Sequence, residues 1–170
     1  MAAEPINLFD PSWEEERDEP EGFRARRLYF ARTLGAEQIG ASLWEIEPGQ
    51  SNMPYHAHHA NEELLVVLAG APTLRTAEGE RDLRAGDAVL FRRGEAHQLI
   101  NRSPEPVRFL FAAPLNHPEV IELPDTGRIG LFAGRPTSGT GEFTLFKLVK
   151  HEGVDQGFIS AEPAPGIEDG

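Results

Sequence analysis

The feature that most restricts how this chain can fold is a succession of short apolar runs between residues 24 and 115. Turn residues such as Pro48-Gly49 and Gly86-Asp87 separate the runs, a pattern typical of antiparallel strands in an all-β domain. Strands are predicted at residues 27–33, 41–46, 55–58, 63–69, 73–76, 81–83, 88–91, 97–101 and 107–112. No segment of this region is expected to be helical, so the predicted fold class is all-β.

The length of 170 residues, of which 39% are hydrophobic, predicts one domain with extensions at both ends. Residues 1–23 are acidic and are expected to form a solvated N-terminal arm. The β domain is expected over residues 24–115 and a C-terminal extension over residues 116–170. In that extension, residues 143–149 alternate enough for one more strand, and residues 161–170 are expected to be mobile.

The formal net charge of −12 disfavours nucleic acids and anionic membranes as partners, because both require a basic surface. The chain has no cysteine, which excludes disulfides, thiolate nucleophiles and cysteine-ligated metal centres. It has no apolar run long enough to span a bilayer, and its first residues lack the pattern of a signal peptide. We therefore expect a cytoplasmic protein in which any metal is bound through nitrogen and oxygen.

Residues 48–70 contain the closest grouping of residues that can bind a metal. His56 and His58 are two positions apart, Glu63 follows them, and Gly70 ends the stretch. Alternate side chains of a strand share a face, so both imidazoles can contact one ion. A turn through residues 60 and 61 is expected to bring the next strand back beside the first, with the carboxylate near the same point. Glu62 is an alternative ligand, but strand alternation favours Glu63.

A second block, at residues 86–101, has a similar layout. Gly86 and Gly94 mark turns, and His97 begins a strand that ends at Asn101. This block therefore supplies a third imidazole.

The two blocks resemble the two motifs of the cupin superfamily, G-x5-H-x-H-x3,4-E-x6-G and G-x5-P-x-G-x2-H-x3-N. The motif positions are filled by Gly49, His56, His58, Glu63 and Gly70 and by Gly86, Gly94, His97 and Asn101. Two local departures are six rather than five residues before His56, and Arg92 in place of the usual proline. The resemblance covers residues 27–115 and implies a double-stranded β-helix, or jelly-roll barrel, of the small single-domain bacterial type.

The resemblance also implies that His56, His58, Glu63 and His97 bind one divalent transition metal. Three imidazoles and one carboxylate suit iron, manganese, nickel, cobalt or zinc, and they leave one or two coordination positions open for a substrate. Ligand identity alone does not select among these metals.

Further polar and aromatic residues are candidates for lining the pocket or supporting the ligands. They are Gln50, Asn52, Tyr55, His59, Arg75, Arg108, Phe109 and Phe111. Inward-facing arginines would favour an anionic substrate, whereas the two phenylalanines are expected to pack in the core. No separate nucleophile or acid–base pair is visible, so no catalytic residue is assigned.

The strand at residues 63–69 is apolar on both faces, because Leu64, Val66 and Leu68 alternate with the inward-facing residues. An exposed apolar face of this kind must be covered. A homodimer is the expected solution.

The function expected from these features is that of a metalloenzyme acting on a small organic molecule. Oxygenase chemistry is the leading reaction class, and the resemblance also permits isomerases, decarboxylases and lyases. The alternative is a non-enzymatic protein that binds a small ligand through its metal, for sensing or storage. A self-contained DNA-binding regulator is disfavoured, because the residues before the barrel are too few and too acidic for a helix-turn-helix domain.

Overall fold

The computed structural model describes residues 4–18, 20–133 and 145–150, and this part of the chain forms an all-β fold, as predicted. The elements are β1 (Glu15–Arg17), β2 (Ala25–Leu28), α1 (Phe30–Thr33), β3 (Ile39–Ile46), β4 (Ala57–His58), β5 (Glu63–Ala69), β6 (Thr73–Thr76), β7 (Gly79–Asp82), β8 (Ala88–Phe91), β9 (Gln98–Ile100), β10 (Val107–Pro114), β11 (Glu119–Leu123), β12 (Arg128–Ala133) and β13 (Leu145–Lys150). No helix among these residues is long and apolar enough to cross a membrane.

One wall of the fold is a six-stranded antiparallel sheet in the order β1-β2-β3-β10-β5-β8. Trp44 lies opposite Phe109, and Phe109 lies opposite Val67. These three residues are almost completely buried, because alternate residues of each strand face the core. The inner face of this sheet therefore supplies these residues to the core.

The second wall consists of a three-stranded sheet, β7-β6-β9, and a four-stranded sheet, β13-β12-β11-β4. A β-bridge between His56 and His97 lies between these two sheets, just before β4 and β9. The core between the walls includes Trp44, Ile46, Leu65, Val67, Leu74, Phe91, Leu99, Val107, Phe109 and Phe111. The two facing walls form the barrel of a double-stranded β-helix.

The helix α1 occupies the second half of a segment predicted as a strand, so the expectation of no helix there was wrong. Leu34 N–H donates to the carbonyl of Phe30 at 2.9 Å, and Ala36 N–H donates to that of Ala31 at 2.8 Å. Gly35 ends the helix with a φ of +79°, a conformation that glycine adopts without steric cost. A single helical turn is too short to show a 3.6-residue apolar period, so the sequence pattern did not reveal it.

Two other features differ from the sequence-based expectations. Glu15–Arg17 form strand β1 on β2, although this acidic stretch was expected to be a solvated arm. β4 and β5 do not run side by side, because β4 pairs with β11 and β5 pairs with β8 and β10. The turn at residues 59–62 instead carries the chain from one wall to the other.

The C-terminal extension contributes strands to the second wall. β11 pairs with both β4 and β12, and β12 pairs with β13. The strand expected at residues 143–149 overlaps β13, whereas the mobile end expected at residues 161–170 lies outside the described residues.

Candidate metal centre

His56 and His97 are brought together by their own backbones. His56 N–H donates to the carbonyl of His97 at 3.1 Å, and His97 N–H donates to the carbonyl of His56 at 2.9 Å. Residues that exchange both backbone bonds lie directly opposite each other, with their side chains on the same face. Their ring centroids are accordingly 4.7 Å apart, which joins the two sequence blocks in one site.

Glu63 reaches the same point from the opposite wall. It is the first residue of β5, and its Oε2 lies 3.1 Å from Nε2 of His97 and 3.8 Å from Nε2 of His58. The candidate ligand atoms of His56, Glu63 and His97 all lie within 4.8 Å of one another. His58 lies just outside this mutual set, with its ring centroid 5.0 Å from that of His56 and 6.2 Å from that of His97.

These residues fit a divalent metal ion. Ligand atoms about 2.0–2.2 Å from a metal are at most about 4.4 Å apart, so a small contraction closes the triad of His56, Glu63 and His97 around an ion. The chemistry of the set, imidazole nitrogen with carboxylate oxygen, suits borderline transition metals. These three residues can therefore hold any of the candidate ions, which are iron, manganese, nickel, cobalt and zinc.

Each of the three imidazoles has an acceptor beside its Nδ1 atom. Nδ1 of His56 lies 2.8 Å from the carbonyl of Pro54, and Nδ1 of His97 lies 3.1 Å from that of Glu95. Nδ1 of His58 lies 3.5 Å from the carboxylate of Glu119. A proton held on Nδ1 leaves the Nε2 lone pair free for a metal and fixes the orientation of the ring.

Packing also restricts the ring of His97. The ring of Phe91 stacks on it with centroids 3.8 Å apart and an angle of 6° between the planes. Phe91 lies opposite Glu63 in the pairing of β5 with β8, so one aromatic residue borders two candidate ligands. The orientation of the His97 imidazole is therefore fixed before an ion binds.

The protonation of the site also favours metal binding. Burial, aided by the positive charges that His97 and His58 can carry, lowers the pKa of His56 to about 4, so this imidazole is neutral at pH 7. Burial opposes ionisation of Glu63, but the hydrogen bond with His97 and the nearby imidazoles outweigh it and lower the pKa of this carboxyl. A neutral imidazole and an ionised carboxylate are the forms that bind metals.

Glu119 is a supporting residue that the sequence did not reveal. Its side chain is buried and accepts hydrogen bonds from the backbone N–H groups of His59, at 3.1 Å, and Ala60, at 2.9 Å, and from the side-chain amide of Asn61. Burial disfavours its charge, yet the hydrogen bonds with His58 and these donors lower its pKa to about 2. Glu119 lies outside both sequence motifs, and only the pairing of β11 with β4 brings it to the site.

The residues around the first motif have mainly structural contacts. Asn52 is buried, and its Oδ1 accepts the N–H of Leu99 at 3.1 Å. Gln50 accepts the N–H of Arg24 at 3.2 Å near the surface. Tyr55 is buried under Arg75, whose guanidinium carbon lies 4.2 Å from the centre of its ring.

Three further candidates are placed away from the ligands. Arg75 forms two hydrogen bonds with Asp125, at 2.7 and 2.8 Å. His59 is 45% exposed and lies 3.1 Å from Glu122. Arg108 lies on the outer face of β10, where it pairs with Glu45 at 2.6 Å, because it alternates with the inward-facing Phe109.

The remaining candidates agree with strand alternation. Phe109 and Phe111 are buried in the core, and the ring of Phe111 lies 5.9 Å from that of His97. Glu62 is exposed, whereas Glu63 belongs to the triad. The preference for Glu63 therefore agrees with the geometry.

The cupin domain family model matches residues 42–113, a segment that includes all four predicted ligands. No curated protein sequence matches the chain.

Several solved structures share the fold. A protein from Acidithiobacillus ferrooxidans, provisionally assigned as a sugar phosphate isomerase, is 26% identical, with a TM-score of 0.65 over 76% of this chain and 78% of that chain. A cupin-superfamily sugar phosphate isomerase from Silicibacter pomeroyi is 23% identical, with a TM-score of 0.72 over 88% and 94%. The polyketide cyclase RemF from Streptomyces resistomycificus is 25% identical, with a TM-score of 0.55 over 68% and 82%. The match to the family model over residues 42–113, the two motifs and the shared barrel together show that this chain contains a cupin domain.

Proposed function

We propose that this protein is a metal-dependent enzyme that acts on a small organic molecule inside the barrel, with His56, His58, Glu63 and His97 as the metal ligands. The observation that carries the proposal is the convergence of the imidazoles of His56 and His97, with His58 beside them, on the carboxylate of Glu63, which is still 16% exposed. A structural site is normally closed by its ligands, whereas a catalytic site stays accessible. Partial exposure of Glu63 therefore supports a site that a second molecule can reach.

The residues of the chain have separable roles in this proposal. Nε2 of His56, His58 and His97 and the carboxylate of Glu63 would hold the ion, and a bound divalent metal would supply Lewis acidity and open coordination positions. The carbonyls of Pro54 and Glu95 and the carboxylate of Glu119 keep the Nδ1 protons in place. Phe91 and Phe111 keep this side of the site apolar, which strengthens electrostatic interactions within it.

Oxygenase chemistry is the reaction class that we propose first, because a histidine and carboxylate donor set with open positions suits non-haem iron. The second candidate is isomerisation, which the likeness to the Acidithiobacillus ferrooxidans protein favours. These classes differ in whether dioxygen is consumed.

The test is oxygen uptake by the purified protein with iron or manganese restored, across a panel of small carboxylates, enediols and sugar phosphates. Uptake that is lost in the His97→Ala variant supports an oxygenase. Conversion of a panel member without oxygen uptake supports an isomerase. Tight, metal-dependent binding without turnover would contradict the enzyme proposal and favour a sensing or storage protein.

We also propose that the protein is a homodimer formed through the outer face of β5 and β8, and that it works in the cytoplasm. On this face Leu64 is 38% exposed and lies opposite Leu90, which is 50% exposed. Adjacent exposed leucines on a sheet face are characteristic of contact surfaces.

Leu64→Glu is expected to shift the mass measured by light scattering from that of a dimer to that of a monomer. The control is Leu34→Glu, at a leucine that is 49% exposed elsewhere on the surface, which should leave the mass unchanged. A monomeric wild-type protein would contradict the homodimer.

A further inference from the structure

Arg27 is a cation inside the barrel. It lies on β2 directly opposite Trp44, which continues the buried inner row through Phe109 and Val67. Directly opposed residues of neighbouring strands have their side chains on the same face. The side chain of Arg27 therefore points inward, unlike that of its neighbour Arg26, which is 40% exposed and pairs with Glu45 on the outer face.

The contacts of Arg27 are aromatic and neutral. Its Nη1 donates to the hydroxyl of Tyr29 at 3.0 Å, and its Nη2 donates to Oγ of Ser42 at 3.3 Å. The guanidinium carbon lies 4.1 Å from the centre of the Tyr29 ring and 4.3 Å from that of Trp44. Its Nε is buried and has no hydrogen-bond partner.

Arg27 has no carboxylate partner among the described residues, although the chain has 28 acidic residues against 16 basic ones. The arginines that do form ion pairs with carboxylates are Arg26, Arg32, Arg75, Arg84, Arg102 and Arg108. The negative charge that approaches Arg27 does so indirectly, since Glu15 accepts the hydrogen bond of the Tyr29 hydroxyl at 2.7 Å. In the part of the chain that the structure describes, no carboxylate therefore directly neutralises the inward-facing guanidinium of Arg27.

A second cation lies close to the same aromatic ring. The guanidinium carbon of Arg17 is 5.6 Å from the centre of the Trp44 ring, and its nitrogens are held by the carbonyls of Phe23 and Asn52. Burial lowers the pKa of Arg27, the negative charges that Tyr29, Glu15 and Glu63 can carry oppose this, and the charge of Arg17 lowers the pKa further. Two like charges beside one buried ring repel each other, and a bound anion would relieve that repulsion.

Arg27 shares the barrel interior with the metal centre. Ser42, which binds its Nη2, lies opposite Phe111 in the pairing of β3 with β10. The ring of Phe111 in turn lies 5.9 Å from that of His97. Along this row, a molecule inside the barrel would have the candidate ligands at one end and the guanidinium of Arg27 at the other.

We propose that Arg27, with the charge of Arg17 behind it, binds an oxyanion group of the molecule that enters the barrel, either a carboxylate or a phosphate. The forked donors of a guanidinium match the oxygens of both groups. The inference rests on the proposed function in that the same molecule would reach the metal centre with its other end. It narrows the substrate class to small organic acids and phosphate esters.

The experiment uses full-length protein treated with a chelator, so that its result does not depend on the metal. Inorganic phosphate and acetate are the probes, titrated by calorimetry at constant ionic strength. The net charge of −12 makes adventitious anion binding at the surface weak. Wild-type protein is expected to bind at least one probe saturably.

Arg27→Gln is expected to weaken that binding by about tenfold or more, because a charge-assisted pair of hydrogen bonds is removed. Arg26→Gln is the matched control, since it removes the same charge from the outer face and should leave the affinity unchanged. Arg27→Lys keeps the positive charge but lacks the paired N–H donors of the guanidinium, so it is expected to weaken binding of the probe several-fold.

The inference is overturned if wild-type protein binds neither probe saturably, or if Arg27→Gln binds as tightly as wild type. If Arg27→Gln does not fold, Arg27→Lys decides, and unchanged affinity in that variant overturns the inference. Metal content, measured separately on untreated protein, tests the proposed function. A protein that binds phosphate but no metal therefore contradicts that function and leaves the anion site standing.

Discussion

The three histidines of the site differ in how strongly they hold a proton. Burial lowers the pKa of His56 to about 4, so it is neutral before a metal arrives. Burial also opposes the charge of His58, but Glu119 and Glu63 outweigh it and raise the pKa of this imidazole above its ordinary value of 6.5. His58 is therefore the candidate ligand whose proton would compete with a metal.

Metal binding by chelator-treated protein is expected to release a proton from His58, because a metal-bound imidazole must be deprotonated. With a raised pKa, His58 is protonated below that pKa and neutral above it, so the number of protons released should rise as the pH falls from mildly alkaline to mildly acidic. Calorimetry in buffers of different ionisation enthalpy measures this number. The control is His58→Gln, which should lose the pH-dependent release, and a release independent of pH in wild type would contradict the assignment.

Strand alternation predicts individual residues well where the phase of the strand is known. It favoured Glu63 over Glu62, and Glu63 belongs to the triad while Glu62 is exposed. It did not assign Arg108, because Arg108 and Phe109 were both only candidates for lining the pocket while the phase of β10 was unknown. Burial of Phe109 in the core places Arg108 outside.

Among the strands, the pairing of β11 with β4 has the largest effect on the site. Ile121 lies opposite His58 in this pairing, and Glu119 at the start of β11 binds the turn that links β4 to β5. The sequence motifs predicted the barrel and pointed to the candidate ligands. They could not predict this pairing, because it joins the barrel to the extension through contacts far apart in sequence.

Glu119→Gln is expected to destabilise the protein by about 2 kcal/mol at neutral pH, because the charge-assisted hydrogen bonds to two backbone N–H groups weaken. The ordinary pKa of this carboxyl is 4.5 and its folded value is about 2, so its stabilisation is present above pH 4.5 and is lost as the pH falls towards 2. Urea denaturation at a series of pH values should show the difference from wild type narrowing over that range.

The matched control is Glu122→Gln on the same strand. Glu122 is 48% exposed and contacts an exposed His59, so its loss should change the free energy of unfolding by less than about 0.5 kcal/mol. Equal changes in the free energy of unfolding for the two substitutions would contradict the role of Glu119 in stabilising the turn after β4.

For the molecule as a whole, the proposed metal centre would join the two walls, since Glu63 belongs to one wall and the three histidines belong to the other. Removing the metal with a chelator is expected to lower the melting temperature by about 10 °C when the free metal had been near a thousand times its dissociation constant. The His97→Ala protein should not respond to the chelator. An unchanged melting temperature of wild type, with metal loss verified, would contradict a centre that spans the walls.

The barrel as a whole could be predicted because the apolar runs, the turns and the two motifs indicate the same architecture. The short helix α1 and the strand β1 were missed, since α1 has four residues and β1 three, too few for either pattern to repeat. The sequence also did not show that the side chain of Arg27 points inward, because this depends on the pairing of β2 with β3, which places Arg27 opposite Trp44.

The metal content of purified protein tests the central claim most directly. Wild type is expected to contain about one divalent transition metal ion per chain, measured by mass spectrometry of the acid-digested protein. His97→Ala and Glu63→Gln should lose most of it, whereas His59→Ala, at an exposed histidine outside the triad, should keep it. A folded His97→Ala protein with wild-type metal content would contradict the assignment of the site.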